Sequence, residues 1–257
     1  MTIQANAINS THQKTLELIT RLTSGSRINK ASDDAAGLAI SQRQTSQING
    51  LYQATKNLGD GVSLVQTADS ALQHGTDVLQ RMRELSVQAN NGILNSSDRA
   101  NLQKEIDQLK SEFDSLSENT QFNNQKIFDG NFSANIQVGD SFEGIKIQLN
   151  ELSELVGDID VTTTENADAA IQNIDNALED ISNTRSELGA THNRFESAIN
   201  ELHNASVNHN RSRSAIFDTD FAADLSENEQ NNILSKVQMA MMKKEDHNKT
   251  FLMELFN

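Results

Sequence analysis

The stretch IQNIDNALEDISNTRSELGATHNRFESAINELHNAS, residues 171–206, decides the fold. Within it Ile171, Ile174, Leu178, Ile181, Arg185, Leu188, His192, Phe195, Ile199, Leu202 and Ser206 follow one another in strictly alternating steps of three and four. Only Arg185, His192 and Ser206 break the apolar run. An α-helix turns about once every ~3.6 residues, so this spacing lays one narrow apolar seam along a single long helix, as in a coiled coil. Such a seam needs partners, and the sequence upstream supplies two. Val65, Ala68, Leu72, Gly75, Leu79, Met82, Ser86 and Ala89 repeat the alternation, with small residues where backbones can approach closely. Asn90-Asn91-Gly92 then reads as a helix stop, because Asn and Gly tolerate the left-handed conformation. Ser97 or Asp98 is expected to cap the next helix, whose seam is Leu102, Ile106, Leu109, Phe113 and Leu116. Two helices joined by a short loop form an antiparallel hairpin, on which the return helix is expected to pack.

Between about 119 and 161 the period changes to two. Ile136 and Val138 alternate around Gln137, and Ile145, Ile147 and Leu149 around Lys146 and Gln148. Gly139-Asp140 and Glu143-Gly144 supply turn chemistry, so one or two β-hairpins are expected here. At the start of the chain Ile8, Leu16, Ile19 and Leu22 form a helical stripe that ends at Ser24-Gly25. Ser32, Asp33 and Asp34 then offer caps and negative charge for a new helix. From Phe221 the last segment is again amphipathic, with Leu225, Ile233, Leu234, Val237, Met241, Phe251, Leu252, Leu255 and Phe256 divided by the charged run 243–249. Neither end has a core of its own, so the ends pair with each other or with other copies. The fold expected is mainly α: long antiparallel helices with coiled-coil-like packing, a small β-hairpin region, and paired N- and C-terminal helices.

Composition narrows the function. The chain has 257 residues, 36 acidic against 21 basic, for a net charge of -15. That acidity excludes nucleic-acid binding, which needs cations to displace counterions from phosphates, and docking on anionic lipid. No run approaches the ~18 apolar residues of a membrane helix. Average usage near ~5% would give about 13 prolines, and there are none, which permits long unbroken helices. There is no Cys, hence no disulfide framework, thiolate metal site or Cys nucleophile. The N-terminus Met1-Thr2-Ile3-Gln4-Ala5-Asn6 has neither the basic nor the apolar segment of a cleaved secretory signal.

Catalytic chemistry is not written in the motifs. His12, His74, His192, His203, His209 and His247 stand in no ligand spacing such as HExxH, and no phosphate-binding glycine loop or GxSxG elbow is present. His192 reads as a polar register element on its seam. Asp33-Asp34 reads as acid at the positive end of a helix, and Arg211-Ser212-Arg213 as pairing between helices or subunits. The expectation is a structural, non-enzymatic chain with no catalytic residue, metal or cofactor.

Several segments resemble bacterial flagellins. Residues 21–40, RLTSGSRINKASDDAAGLAI, are similar to the family's N-terminal signature, and residues 79–89, LQRMRELSVQA, to a second. Thr120-Gln121-Phe122-Asn123, Phe128-Asp129-Gly130 and Ile136-Gln137-Val138-Gly139 resemble its hairpin region. Arg185 to Ala190, Asn193 to Glu196, Asp218 to Ala222 and Asn232-Ile233-Leu234 continue the likeness in order over nearly the whole chain. The resemblance implies a subunit that polymerises into the flagellar filament. Its terminal helices, residues 1–32 with 222–257, would line an inner tube, and residues 33–221 would form an outer tube carrying the hairpin insert. Leu149 is followed almost directly by the return helix, as in a minimal flagellin without variable outer domains. Assembly seams are then expected at Leu16, Ile19, Leu22, Ile233, Leu234, Val237, Phe251 and Leu255.

The resemblance also implies partners: other copies of the chain, the flagellar export apparatus, a chaperone for the C-terminal segment and a filament cap. The location implied is the extracellular flagellum, reached through the flagellar channel without a cleaved signal. Arg81, Leu85 and Glu105 match the positions by which some flagellins are recognised by an innate immune receptor of animals; outer-tube packing is their expected primary role. Two departures fall in the inner-tube region. The chain begins roughly three helical turns short of the usual family start, and the tail from Met241 to Asn257 replaces the family's usual end with a charged run and Phe251-Leu252-Met253-Glu254-Leu255-Phe256. A hook–filament junction protein or a specialised minor flagellin is the alternative reading.

Overall fold

The computed structural model describes the backbone of residues 2–139 and 144–255 and the side chains of 6–139 and 144–250. The expected turn residues Asp140 and Glu143 lie outside the described residues, as do the side chains of Phe251 and Leu255. The helices are α1 (Thr2–Ser24), α2 (Ala35–Ala89), α3 (Ser96–Asn119), α4 (Thr164–Phe217) and α5 (Phe221–Leu255). Between α3 and α4 lie β1 (Gln121–Phe122), β2 (Gln125–Lys126), β3 (Ser133–Ile136) and β4 (Ile145–Gln148). The chain forms two compact units, Met1–Asn49 with Ser206–Asn257, and Gly50–Ala205. Both α2 and α4 contribute residues to each.

The unit Gly50–Ala205 holds the heptad core. All eight seam positions of α2 from Val65 to Ala89 are buried. They meet Ile106 and Phe113 of α3 and Ala167, Ala170, Ile174, Ala177, Ile181, Leu188, Phe195 and Leu202 of α4. Glycine in this seam makes room for aromatic rings: a Cβ on Gly75 would come 3.2 Å from the Phe113 ring, and one on Gly61 3.1 Å from Phe195. Polar pairs along the flanks fix direction. Asp69 of α2 accepts from Arg185 of α4 at 2.8 Å, Asp175 accepts from Arg83 at 2.6 Å, and Asp168 accepts from Asn90 at 2.5 Å. Rising numbers on α2 meet falling numbers on α4, so the two run antiparallel. Arg185, an interruption in the apolar run, is thus a register pin. His192 is half-buried with Nε2 3.6 Å from Glu196, and its Nδ1 is buried without a partner.

The start of α3 corrects one expectation. Its N-cap is Asn95, not Ser97 or Asp98: the Asn95 side chain accepts from Asp98 N at 2.8 Å, and the Asp98 carboxylate accepts from Asn95 N at 3.4 Å. Asp98 is therefore the third-residue partner of a capping box, a role its acidity also suits at a helix N-terminus.

The insert contains two antiparallel hairpins. In β1–β2 the turn is Asn123-Asn124, both with positive φ (50° and 63°), the twist that two-residue hairpins favour. In β3–β4 Ser133 pairs with Gln148 and Ile136 with Ile145, so Val138 falls beyond the strand end. Ile147 and Leu149 point into the core, as the alternation requires. The chain then buries Leu152, Val156, Ile159 and Val161 on the way to α4. Gln103 of α3 clamps this return, donating to Ile159 O at 2.8 Å and accepting from Val161 N at 2.7 Å.

In the other unit α1 and α5 pack along one another. Arg27 N donates to Phe217 O at 2.7 Å and Thr219 N donates to Gly25 O at 3.1 Å, which brings the end of α1 to the start of α5 and makes the pair antiparallel. Gly25 sits at φ 70°, a left-handed helix end that needs glycine. The acidic pair after it divides its work. Asp34 caps α2 by accepting from Gly37 N at 2.8 Å, while Asp33 accepts from Asn29 N (3.0 Å) and Lys30 N (2.9 Å) and closes the preceding loop. Asp220 caps α5 by accepting from Ala222 N and Ala223 N.

Candidate functional site

The surfaces of α1 and α5 invert the ordinary amphipathic rule. The α1 face turned to α5 carries Thr11 and Leu18, both buried, with Thr15 and Leu22 half-buried. Along α5 the covered positions include Asp224, Asn228, Asn231, Ser235, Gln238 and Met242, of which Asn231 is buried. Asn228 Oδ1, Asn231 Nδ2 and Gln238 Oε1 are buried without a hydrogen-bond partner. Apart from Leu18, Leu22 and Met242, several large apolar side chains face outward instead. Leu16, Ile19, Ile233, Leu234 and Val237 are between 43% and 59% exposed. On α5, Ile233, Val237 and Met241 follow at steps of four and Leu234 precedes Met241 by seven, so they share one helix face.

Of the residues that the sequence marks for assembly, Leu16, Ile19, Ile233, Leu234 and Val237 stand on the open surface, and Leu22 is half-covered inside the pair. The periodicity of α1 and α5 locates apolar stripes but does not say which face meets the other helix. That choice depends on Thr11, Asn228, Asn231 and Gln238, whose polarity hides them from any count of apolar residues.

In the unit Gly50–Ala205, Arg81 of α2 reaches Glu105 of α3 at 2.8 Å and Glu84 at 3.0 Å. The hydrogen bond to Glu105, then that to Glu84, raises the Arg81 pKa above its ordinary value, so the guanidinium stays charged. Leu85 is buried in the core. Arg81 and Glu105 are thus brought together, and Leu85 is not presented beside them.

Two residues that sequence patterns do not single out hold the segment between α1 and α2. Gly37 packs so close that an added Cβ would stand 2.7 Å from Ile28, itself buried. Arg27 donates through Nη2 to Ile216 O at 2.7 Å, beside the main-chain bond to Phe217. Neither Arg211 nor Arg213 forms an ion pair among the described residues, and Arg213 Nε is buried without a partner. Among the described residues no three His, Asp or Glu side chains are grouped to hold a metal ion, and no helix is long and apolar enough to cross a membrane.

Comparison with known proteins assigns this architecture. Residues 1–133 match the family model of the bacterial flagellin N-terminal helical region, and residues 171–256 that of the bacterial flagellin C-terminal helical region. A flagellin of Halalkalibacterium halodurans is 42% identical over 237 residues, 90% of this chain and 86% of the relative. The flagellar filament 30.7 kDa core protein of Treponema maltophilum is 38% identical over 244 residues, 87% of this chain and 86% of the relative. Among solved structures, Bacillus cereus flagellin is similar with a TM-score of 0.54 and 29% identity, covering 57% of this chain and 88% of that one.

Proposed function

The chain belongs to the bacterial flagellin family and is a structural subunit of the flagellar filament, and we propose that it polymerises through the outward apolar faces of its terminal helices. The family is structural rather than catalytic. The observation that carries the proposal is the partly inverted pair: a mainly polar α5 face against α1, where Leu18 is the one buried large apolar side chain, and Leu16, Ile19, Ile233, Leu234 and Val237 turned out. Fully burying one such side chain contributes about 1.5–3 kcal/mol. A single chain leaves that contribution unrealised, and a neighbouring copy supplies it. Contacts of this kind that do not close into a ring build an open helical filament.

In this reading residues 1–32 with 222–257 form the inner-tube part and 33–221 the outer-tube part. Phe251 and Leu255 are the remaining positions at which the sequence expects an assembly seam. Polymerisation also explains why a polar α1–α5 seam is tolerable: the pair need not be strongly stable before assembly, because isolated helices are marginal in water and ordering is completed by burial between copies. The monomer is delivered by the flagellar export apparatus, with a chaperone on the C-terminal segment and a cap at the filament end. Arg81 and Glu105 contribute to outer-tube packing and are the exposed positions where an innate immune receptor of animals would engage the chain, whereas Leu85, the third matched position, is buried in the core.

The test is assembly itself. Purified monomer is given seeds or ammonium sulfate and followed by negative-stain electron microscopy and circular dichroism. Long uniform filaments with a rise in helicity are expected, and Val237→Asp should prevent them while leaving the Gly50–Ala205 unit folded. Persistent wild-type monomer under conditions that polymerise an ordinary flagellin would overturn the proposal. The receptor reading fails separately if soluble monomer leaves receptor-bearing cells silent at concentrations where a known flagellin activates them.

A further inference from the structure

The chain contains no cysteine, so its softest oxidisable groups are the thioethers of six methionines. They occupy contrasting places. Met82 is fully buried in the core of the Gly50–Ala205 unit. Met239 and Met241 of α5 are 48% and 65% exposed. Met241 continues the outward stripe of Ile233, Leu234 and Val237. Met239, two residues earlier, points about 200° round the helix from it, next to Lys236 rather than the stripe.

We propose that the Met241 thioether is a peroxide-sensitive modification site, and that its oxidation to the sulfoxide excludes the subunit from assembly. The inference rests on the assembly reading of the α5 face. The step balances with hydrogen peroxide as the oxidant: a sulfur lone pair attacks one peroxide oxygen, the O–O bond breaks, and an S–O bond forms. Sulfur loses two electrons and the peroxide is reduced, leaving the sulfoxide and one water. The product is polar and chiral where the reactant was apolar and flexible. On a face that stays wet this changes little. On a face that a neighbouring copy must cover, the sulfoxide oxygen is buried without a donor aimed at it, which is costly. The Ile233, Leu234, Val237 and Met241 stripe supplies no such donor from its own side chains. The same geometry gives protection in the other direction, since a covered thioether is shielded once the subunit is in place. Met239 oxidises in the monomer as well, but a sulfoxide there leaves the stripe apolar.

The experiment treats full-length monomer with hydrogen peroxide to partial oxidation, seeds assembly, and separates pellet from supernatant. Peptide mass spectrometry then gives the sulfoxide fraction at each methionine. Met241 sulfoxide should be enriched in the supernatant roughly tenfold over the pellet, a ratio that corresponds to about 1.4 kcal/mol, while Met239 sulfoxide distributes evenly. Reduction by the two epimer-specific methionine sulfoxide reductases should restore incorporation. The M241L variant should assemble equally well with and without peroxide. Preformed filaments should oxidise at Met241 more slowly than monomer does. Equal partition of Met241 sulfoxide between pellet and supernatant, with filaments forming normally, would overturn this inference and leave the assembly reading intact. Failure of the unoxidised chain to form filaments would overturn both.

Discussion

Gly59 and Gly75 lie in the same helix and face opposite surroundings. Around Gly59 an added Cβ meets nothing within 4 Å, whereas at Gly75 it would stand 3.2 Å from the Phe113 ring and 3.5 Å from Leu116. Alanine in a helix interior is favoured over glycine by about 0.8–1.0 kcal/mol. Gly59→Ala should therefore raise the midpoint of thermal unfolding, with a gain of up to about 1 kcal/mol. Gly75→Ala should lose that gain and fall at or below wild type, because the Phe113 ring must move within a packed core. Thermal unfolding of the two variants, followed by circular dichroism, checks this; equal stabilisation would show that the ring has slack. Asn231 tests the polar seam in the same way. Its Nδ2 is buried without a partner, a condition that costs about 1–3 kcal/mol. Asn231→Leu should stabilise the α1–α5 pair in the monomer, seen as a gain of helicity. A buried Asn also fixes which residues of two helices stand opposite each other, so the same variant should assemble less uniformly. Helicity unchanged from wild type would mean that the amide is satisfied by water in solution.

Elements begin and end where short polar side chains take up free backbone groups, and this governs their response to pH. Asp33 binds the N–H groups of Asn29 and Lys30, and these hydrogen bonds, Asn29 first, hold its pKa below the ordinary 3.8. A carboxylate with a depressed folded pKa contributes stability that is fully present above 3.8 and lost as pH falls through the lower folded value. The loop before α2 should thus loosen only in acid below that point. Asp33→Asn should loosen it at neutral pH already and flatten the acid response, read from amide exchange at Asn29 and Lys30. An unchanged acid response in the variant would assign the transition to other carboxylates. The helices themselves were legible because heptad spacing is a property of apolar residues alone. Every α2 seam position from Val65 to Ala89 is buried as the alternation requires, and so are Ile174, Ile181, Leu188, Phe195 and Leu202 of α4. The cap of α3 was misread because Asn95, Ser97 and Asp98 are all cap formers, and only the backbone decides which stands outside the helix. The β1–β2 hairpin falls inside the region where one or two hairpins are expected, but its strands are not assignable from the sequence, because two-residue strands carry no period and Asn123-Asn124 is the one local signal. The apolar stripes of α1 and α5 were legible as such. Which side each stripe takes was not, since Thr11, Asn231 and Gln238 carry no apolar signal.

At the scale of the whole molecule the charge is divided between the two units. Met1–Asn49 with Ser206–Asn257 carries 11 basic and 11 acidic residues and is neutral. Gly50–Ala205 carries 10 basic and 25 acidic residues and so holds the entire net charge of -15. The unit with the exposed apolar stripes is therefore the one that brings no net repulsion to an assembly, while every added copy brings another strongly acidic unit. Repulsion between such units reaches about 30 Å at 0.01 M salt and about 8 Å at 0.15 M. The critical concentration for assembly should accordingly fall as sodium chloride rises between these values, measured by sedimentation of seeded filaments. Glu118, Glu179, Asp180 and Glu187 are exposed acids of the charged unit that form no ion pair among the described residues. Neutralising them together as Gln, Gln, Asn and Gln should lower the critical concentration at 0.01 M and flatten its dependence on salt. The apolar term does not distinguish the variant from wild type, because the stripe of Ile233, Leu234 and Val237 is untouched. A wild-type critical concentration that does not move with salt would show that copies meet with their acidic units already compensated, and the cations Arg211 and Arg213 would be the first groups to test as the source.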